Sequence, residues 1–195
     1  MTVTLEPVTG AAIAPHLDAV AALRIAVFRE FPYLYEGTLD YERRYLARYA
    51  SSPDHLVVLA RDGDRVIGAS TAMPLTAAED GVEPTLARAY PDARVCYFGE
   101  SVLDPAYRGR GLGGGFFDHR ERHARARGFT VAAFCAVVRP ADHPRRPPGY
   151  TPHDAFWTKR GYQRRPELVT TFSWRDLDDV DETAKPMVFW TKELT

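Results

Sequence analysis

Cysteine is scarce in this sequence: Cys96 and Cys135 are the two thiols, and no metal-type spacing joins them. That excludes a small domain framed by disulfides and suits a reducing compartment. Net charge is scarce as well. Twenty-five Lys and Arg stand against 26 Asp and Glu, a formal charge of -1, so no overall field draws the chain to nucleic acid or an anionic membrane. No stretch approaches the roughly 18 apolar residues that a membrane helix needs. Residues 1–15 carry Glu6, Pro7 and Pro15 rather than a basic start and an apolar core, so no signal peptide is expected. Repeats and low-complexity tracts are missing too. What is present is 195 residues, 45% hydrophobic and 26% charged, enough for one domain with a substantial core. The expectation is a single cytoplasmic domain over residues 1–195, with no nucleic-acid or membrane partner.

Periodicity supplies the elements. Residues 3–5 read as a short strand closed by Glu6-Pro7. Ile13, Leu17, Val20, Leu23, Val27, Phe28 and Phe31 follow helical spacing up to Pro32, and residues 39–49 read as a second, more polar helix. Residues 56–60 and 66–70 flank the turn Asp62-Gly63-Asp64 as a hairpin. Residues 74–92 hold three prolines and read as a long loop with one helical turn near Leu86. A strand over 95–103 and a helix over 111–127, ended by Gly128, come next. Residues 129–138 are apolar enough for a strand buried on both faces. The proline-rich stretch 140–152 reads as an ordered loop or lid, 154–160 as a short helix stopped at Gly161, and 167–174 and 187–194 as two closing strands. The order β-α-α-β-β-β-α-β-α-β-β predicts an α/β (α+β) mixed sheet with helices on both faces.

Chemistry concentrates in residues 102–113, where a strand ends, Pro105 breaks it, and a glycine-rich turn opens a helix. Glycines let main chain approach a ligand closely. The first turn of a helix offers free N–H groups and the positive end of its dipole, which suits a pyrophosphate. Arg108 and Arg110 add positive charge there. Gly109-Arg110-Gly111-Leu112-Gly113-Gly114 also satisfies G-x-G-x-x-G, a weak pattern alone. A nicotinamide-binding unit wants an acid about 20 residues on, and residues 129–138 hold none. A purely structural turn remains the other alternative, and the absence of a following lysine excludes a P-loop.

On Leu103, Pro105, Tyr107, Arg108, Gly109, Gly111, Leu112 and Gly113, the sequence resembles the GNAT superfamily of N-acetyltransferases, whose hallmark is R/Q-x-x-G-x-G/A after a strand. The element order over essentially the whole chain is also that family's. The resemblance implies that Arg108, Gly109, Arg110, Gly111, Leu112, Gly113 and Gly114 hold the pyrophosphate of acetyl-CoA. It further implies that Val102 and Leu103 pair with pantetheine as an added strand would. Residues 154–162 are similar to the family helix that packs along the coenzyme, but Trp157 stands where many relatives carry a tyrosine acid. Thiolate, near pKa 8.5, leaves without much help, whereas an ammonium near 10.4 must lose a proton before it attacks. A base therefore matters more than an acid.

Glu100 is the candidate base, at a place where the family often puts a carboxylate acting through water; its alternative is a structural partner for a buried cation such as Arg120. The N–H of Leu103 is the candidate oxyanion donor. Cys135 reads either as a nucleophile or as a small buried hydrophobe, and Tyr150, His153 and Tyr162 are substitute acids. His119 and His123 lack a third ligand, so no metal is expected. The arginines at 120, 122, 125 and 127, and those at 139, 145 and 146, are read as a solvated face or as ligands for the coenzyme's 3′-phosphate. The resemblance points to residues 29–36 as acceptor site, with Arg29, Tyr33 and Tyr35 as its contacts. The expected activity is acetyl transfer from acetyl-CoA to a primary amine of a small molecule, with a non-catalytic acyl-CoA-binding domain as alternative and a homodimer left open.

Overall fold

Strand β1 (Val3–Thr9) leads through a 3-10 turn into α1 (Leu17–Phe28) and α2 (Leu39–Ala47), and the chain then lays down the hairpin β2 (Leu56–Asp62) and β3 (Arg65–Pro74). After α3 (Val82–Ala89) come β4 (Val95–Tyr97), β5 (Ser101–Leu103), α4 (Leu112–Ala126), β6 (Val131–Val137), α5 (Asp154–Lys159), β7 (Gln163–Trp174) and β8 (Thr183–Glu193). The computed structural model describes residues 3–79, 81–177 and 179–195. The strands form one sheet ordered β1-β2-β3-β4-β6-β8-β7, with β5 also paired to β3. Of these strand pairings, β4 with β6 alone is parallel.

Side chains alternate across a strand, and that alternation divides the core in two. Val57, Leu59, Ala69, Met73, Val131, Ala133 and Phe189 face a layer that includes Val20 and Ala21 of α1, Leu46 of α2 and Leu86 of α3. Leu56, Val58, Ile67, Cys96, Ala132 and Trp190 face the other way, against Phe116, Phe117 and Ala124 of α4. The expected mixed sheet with helices on both faces is what forms.

Several details differ from the sequence reading, among them β1, which runs through Pro7 to Thr9 instead of closing at Glu6-Pro7. The segment read as a loop contains the eight-residue helix α3. Pro84 fits because it lies in the first turn, where a backbone N–H has no intrahelical acceptor to lose. The strand expected over 95–103 is split by Phe98-Gly99-Glu100 into β4 and β5. Finally, Gly10–Phe28 gives 19 helical residues of mean hydropathy 1.5, long and apolar enough to cross a membrane by length and composition, so the reading that no stretch approaches that length is too strict. Here the segment changes from 3-10 to α geometry after His16. It also buries Arg24 in an ion pair with Glu42 and another with Glu100.

Candidate active site

The glycine turn is fixed from its N-terminal side. Asp104 accepts from the N–H of Ala106 at 3.0 Å and caps the short turn Pro105–Tyr107. The Tyr107 hydroxyl donates to Asp62 at 2.7 Å, tying the turn to the β2–β3 hairpin. Gly109 and Gly111 then take φ values of +75° and +81°, which side chains rarely adopt. A Cβ at either would meet no atom within 4 Å, so conformation rather than crowding requires glycine, and space lies open beside the turn. Among the described residues, none of the amides of residues 109–113 donates to a backbone carbonyl. These are the free donors of a helix start, a cradle that fits a pyrophosphate. The amide of Gly114 differs from the expectation: it is bonded to the carbonyl of Gly111 at 3.0 Å. Arg110 lies back on the turn, donating to Ala106 O at 3.0 Å, while Arg108 reaches Glu30 Oε2 at 2.8 Å.

A cleft opens beside this turn. The last link between β4 and β6 runs from Phe98 N–H to Ala133 O at 2.8 Å, and from Phe134 to Val137 the ladder partner of β6 is β8. β5 meanwhile pairs with β3, Gly68 opposite Leu103 and Ala69 opposite Val102. Asp104 N–H bonds to Ile67 O at 2.8 Å and Thr71 N–H to Glu100 O at 3.0 Å. Antiparallel alternation then turns the polar groups of Val102 toward β3 and those of Ser101 and Leu103 away from it. Of the two expected pantetheine partners, Leu103 presents its N–H to the open side.

The bend before β5 is built from packing. A Cβ on Gly99 would overlap the Tyr49 hydroxyl and the Thr71 hydroxyl, so glycine lets the strand turn there. This brings Glu100 into the interior, 6% exposed. Its Oε2 pairs with Arg24 Nη1 at 2.6 Å and accepts from the Tyr45 hydroxyl at 3.0 Å, whereas its Oε1 has no partner. Burial pushes the Glu100 carboxyl above its ordinary value, and the charge of Arg24 offsets part of this. Arg24 also pairs with Glu42 and lies over the rings of Tyr45 and Phe28 at 4.3 and 5.0 Å. The cation facing the Glu100 carboxylate is thus Arg24. Arg120 approaches from the other face and donates to the Glu100 carbonyl at 3.4 Å.

Tyr33 and Tyr35 join this cluster. Burial raises the Tyr33 phenol, and the charges of Cys135, Tyr150, Arg24 and Glu100 also act on it. Tyr35 is raised by burial and by Glu42 beside it. Arg29 is exposed at the end of α1. Arg139, read as a phosphate ligand or a solvated side chain, instead clamps the loop after α1: it donates to Pro32 O and Tyr33 O at 2.8 Å each and pairs with Asp176 at 2.8 Å. Cys135 lies 3.2 Å from the Tyr97 hydroxyl. Trp157 packs on Phe134, Trp190 and His153, with ring centroids 5.0, 5.1 and 5.8 Å away. Tyr162 belongs to the opposite core face, where its hydroxyl donates to Glu121 at 3.3 Å, and so it is no acid for a reaction at Glu100.

His123 is held by the carbonyl of Asp54 at 2.9 Å, and no metal-holding group occurs among the described residues. Arg125 and Arg127 bond to Thr195 O at 3.0 Å and Asp54 at 2.6 Å. They stand at the far end of a 15-residue helix from the glycine turn.

The sequence reading missed Arg24 and Glu42. Arg24 interrupts the apolar stripe of α1, the same signal that exposed Arg120 on α4. Glu42 carries no comparable mark.

The sequence profile of the acetyltransferase (GNAT) family matches residues 20–147. Solved structures share the fold. A polyamine N-acetyltransferase of Drosophila melanogaster, which forms N-acetylagmatine, superposes with a TM-score of 0.62 at 13% identity, covering 99% of this chain and 100% of that one. Ribosomal-protein-alanine N-acetyltransferase of Brucella melitensis gives 0.62 at 13% identity over 98% and 99% of the two chains. An N-acetyltransferase of Staphylococcus aureus Mu50 gives 0.59 at 14% over 100% of each. No curated protein matches the sequence.

Proposed function

Because the chain belongs to the acetyltransferase (GNAT) family, we propose that it transfers an acetyl group from acetyl-CoA to the primary amine of a small molecule, by direct attack in a ternary complex. One observation carries this reading: an anion-receptive glycine turn adjoins a strand whose outward N–H groups are unclaimed by the sheet.

The free amides of residues 109–113, with Arg108 and Arg110 at the rim, would hold the pyrophosphate of the coenzyme, which supplies the thioester. Leu103 N–H would donate to the carbonyl oxygen as negative charge develops there; such a donor typically contributes about 3 kcal/mol. Trp157 walls the cleft on the α5 side. The amine arrives as an ammonium and must shed a proton before its nitrogen can bond to the acyl carbon. Glu100 Oε1 would take that proton, directly or through one water. Its raised pKa makes it a better acceptor than an ordinary carboxylate. The carbon–sulfur bond then breaks, and the thiolate needs no strong acid to leave. This is why a tryptophan in place of the tyrosine is compatible with turnover. Arg29, Tyr33 and Tyr35 would border the acceptor.

Trp157 also favours a second reading, a domain that binds acyl-CoA without turning it over. A thiol-release assay with acetyl-CoA across amines, amino acids and polyamines separates the two. Release of free thiol with any acceptor supports the enzyme. Tight coenzyme binding with no release across the panel supports the binding domain, and no coenzyme binding defeats both.

A further inference from the structure

Glu100 is gripped from both faces of the sheet by buried arginines, and the two grips differ. Arg24, on the α1 side, takes the carboxylate. Arg120, on the α4 side, is 2% exposed and donates through Nη1 to the main-chain carbonyl at 3.4 Å. Its guanidinium lies against the rings of Phe98 and Phe117, 4.5 Å from each centroid. Among the described residues no carboxylate pairs with it, and its Nε is buried without a hydrogen-bond partner. Glu121, the next residue of α4, is already taken by Lys192 at 2.8 Å and Arg125 at 3.5 Å. A buried cation that no acid matches is costly, even with aromatic faces beside it. Packing alone therefore gives no reason for an arginine here.

What Arg120 touches supplies one. Phe98 and Glu100 bracket the bend at which β4, paired with β6, gives way to β5, paired with β3. Phe98 N–H makes the last bond to β6, and Glu100 O receives Thr71 N–H at 3.0 Å besides Arg120. That carbonyl shares its peptide unit with the Ser101 N–H, which is directed away from β3 and toward the cleft. Two donors on the carbonyl polarise that N–H in turn. Arg120 thus acts on both edges of the opening: on Phe98, where pairing to β6 stops, and on a donor that β5 presents to the gap.

We propose that Arg120 is a positioning residue for the acylated arm of the coenzyme: acting through the 98–100 bend rather than by contact, it holds the N–H groups of Ser101 and Leu103 where the thioester-bearing chain meets them. The assignment rests on the acetyl-CoA reading of the same cleft and adds to it a residue on the far side of the sheet.

Calorimetric titration of Arg120→Met with acetyl-CoA and with ADP 3′-phosphate, the coenzyme's nucleotide half, separates positioning from a merely structural role. The nucleotide reports on the glycine turn, and the whole coenzyme on the turn and the gap together. Acetyl-CoA affinity should fall at least about tenfold from that of the unaltered protein, while nucleotide affinity stays within about twofold. Arg120→Lys keeps a charge and a donor at this place without the planar fork. It should lose less acetyl-CoA affinity than R120M, and it carries the same comparison if R120M does not fold. Equal losses for the two ligands, or acetyl-CoA affinity left within about twofold, would overturn the proposal. If the unaltered protein binds no acetyl-CoA, the coenzyme reading falls and the assignment with it. The split in affinity without thiol release in the amine panel would uphold Arg120 in this role and instead defeat acetyl transfer.

Discussion

Arg24 Nη1 lies 2.6 Å from Glu100 Oε2, joining α1 to the bend that leads through β5 into the glycine turn. The same guanidinium holds Glu42 of α2, so one side chain ties together three elements around the site. Replacing Arg24 by leucine strands two carboxylates in the interior. An uncompensated buried charge costs about 3–5 kcal/mol. Arg24→Leu should lower unfolding free energy by that amount in a urea titration; a loss under about 1 kcal/mol would show the pairs to be dispensable.

Glu100 gives a pH signature. Burial raises its carboxyl above the ordinary 4.5, so the proton departs only as pH climbs through that higher value, and base catalysis rises with it. Folding runs the opposite way: the raised pKa contributes stability that is full below the unfolded value and lost as pH rises through the folded one. Glu100→Gln should reduce kcat/KM by about a hundredfold, typical of a missing general base. The deficit should be largest between that raised value and the pKa of the amine, where Glu100 is ionised and neutral amine is rare. A pH profile merely displaced downward by a constant factor would remove Glu100 from that role.

Gly111 precedes α4 with φ of +81° and open space beside it. Gly111→Asp adds the cost of a left-handed side chain, roughly 1 kcal/mol, and sets a negative charge against phosphate. Coenzyme affinity should fall at least about tenfold by calorimetry. Unaltered affinity would place the pyrophosphate elsewhere.

Tyr162 is buried against Glu121 on the opposite face of the sheet. Tyr162→Phe should leave turnover within about twofold while costing about 1 kcal/mol of stability for the lost hydrogen bond. A large fall in kcat at unchanged stability would restore this phenol as the acid.

Both cysteine thiols are pushed up to about 12 by burial. Thiolate is the reactive form, so the native protein at pH 8 should resist an aromatic disulfide reagent, and denaturant should release both thiols to it. Rapid native-state modification of Cys135 would revive it as a nucleophile.

Most of the fold was legible because strand and helix periods persist through it. The two periodic runs on either side of Gly63 became β2 and β3, and the apolar run at 129–138 became a strand with both faces covered. The glycine turn was legible because glycine and proline mark backbone shape directly. The partner of Glu100 was not, since a contact between α1 and β5 depends on how distant elements dock. Arg24 could have been suspected as a charge among apolar neighbours, but nothing local says which acid it would meet. The helix α3 was hidden by proline count, although Pro84 at a helix start does no harm. The clamp by Arg139 belongs to the same class as the Arg24 pair: its acceptors lie 106 and 107 residues away along the chain.

The bend at residues 98–100 has an evolutionary corollary. A strand shows its edges in strict alternation, so the number of residues between β4 and β5 decides whether the amide of Leu103 or that of Val102 looks into the cleft. Descendants of this chain can therefore exchange side chains at the bend far more freely than they can gain or lose a single position there. Spacing, not spelling, is what heredity must preserve at that corner.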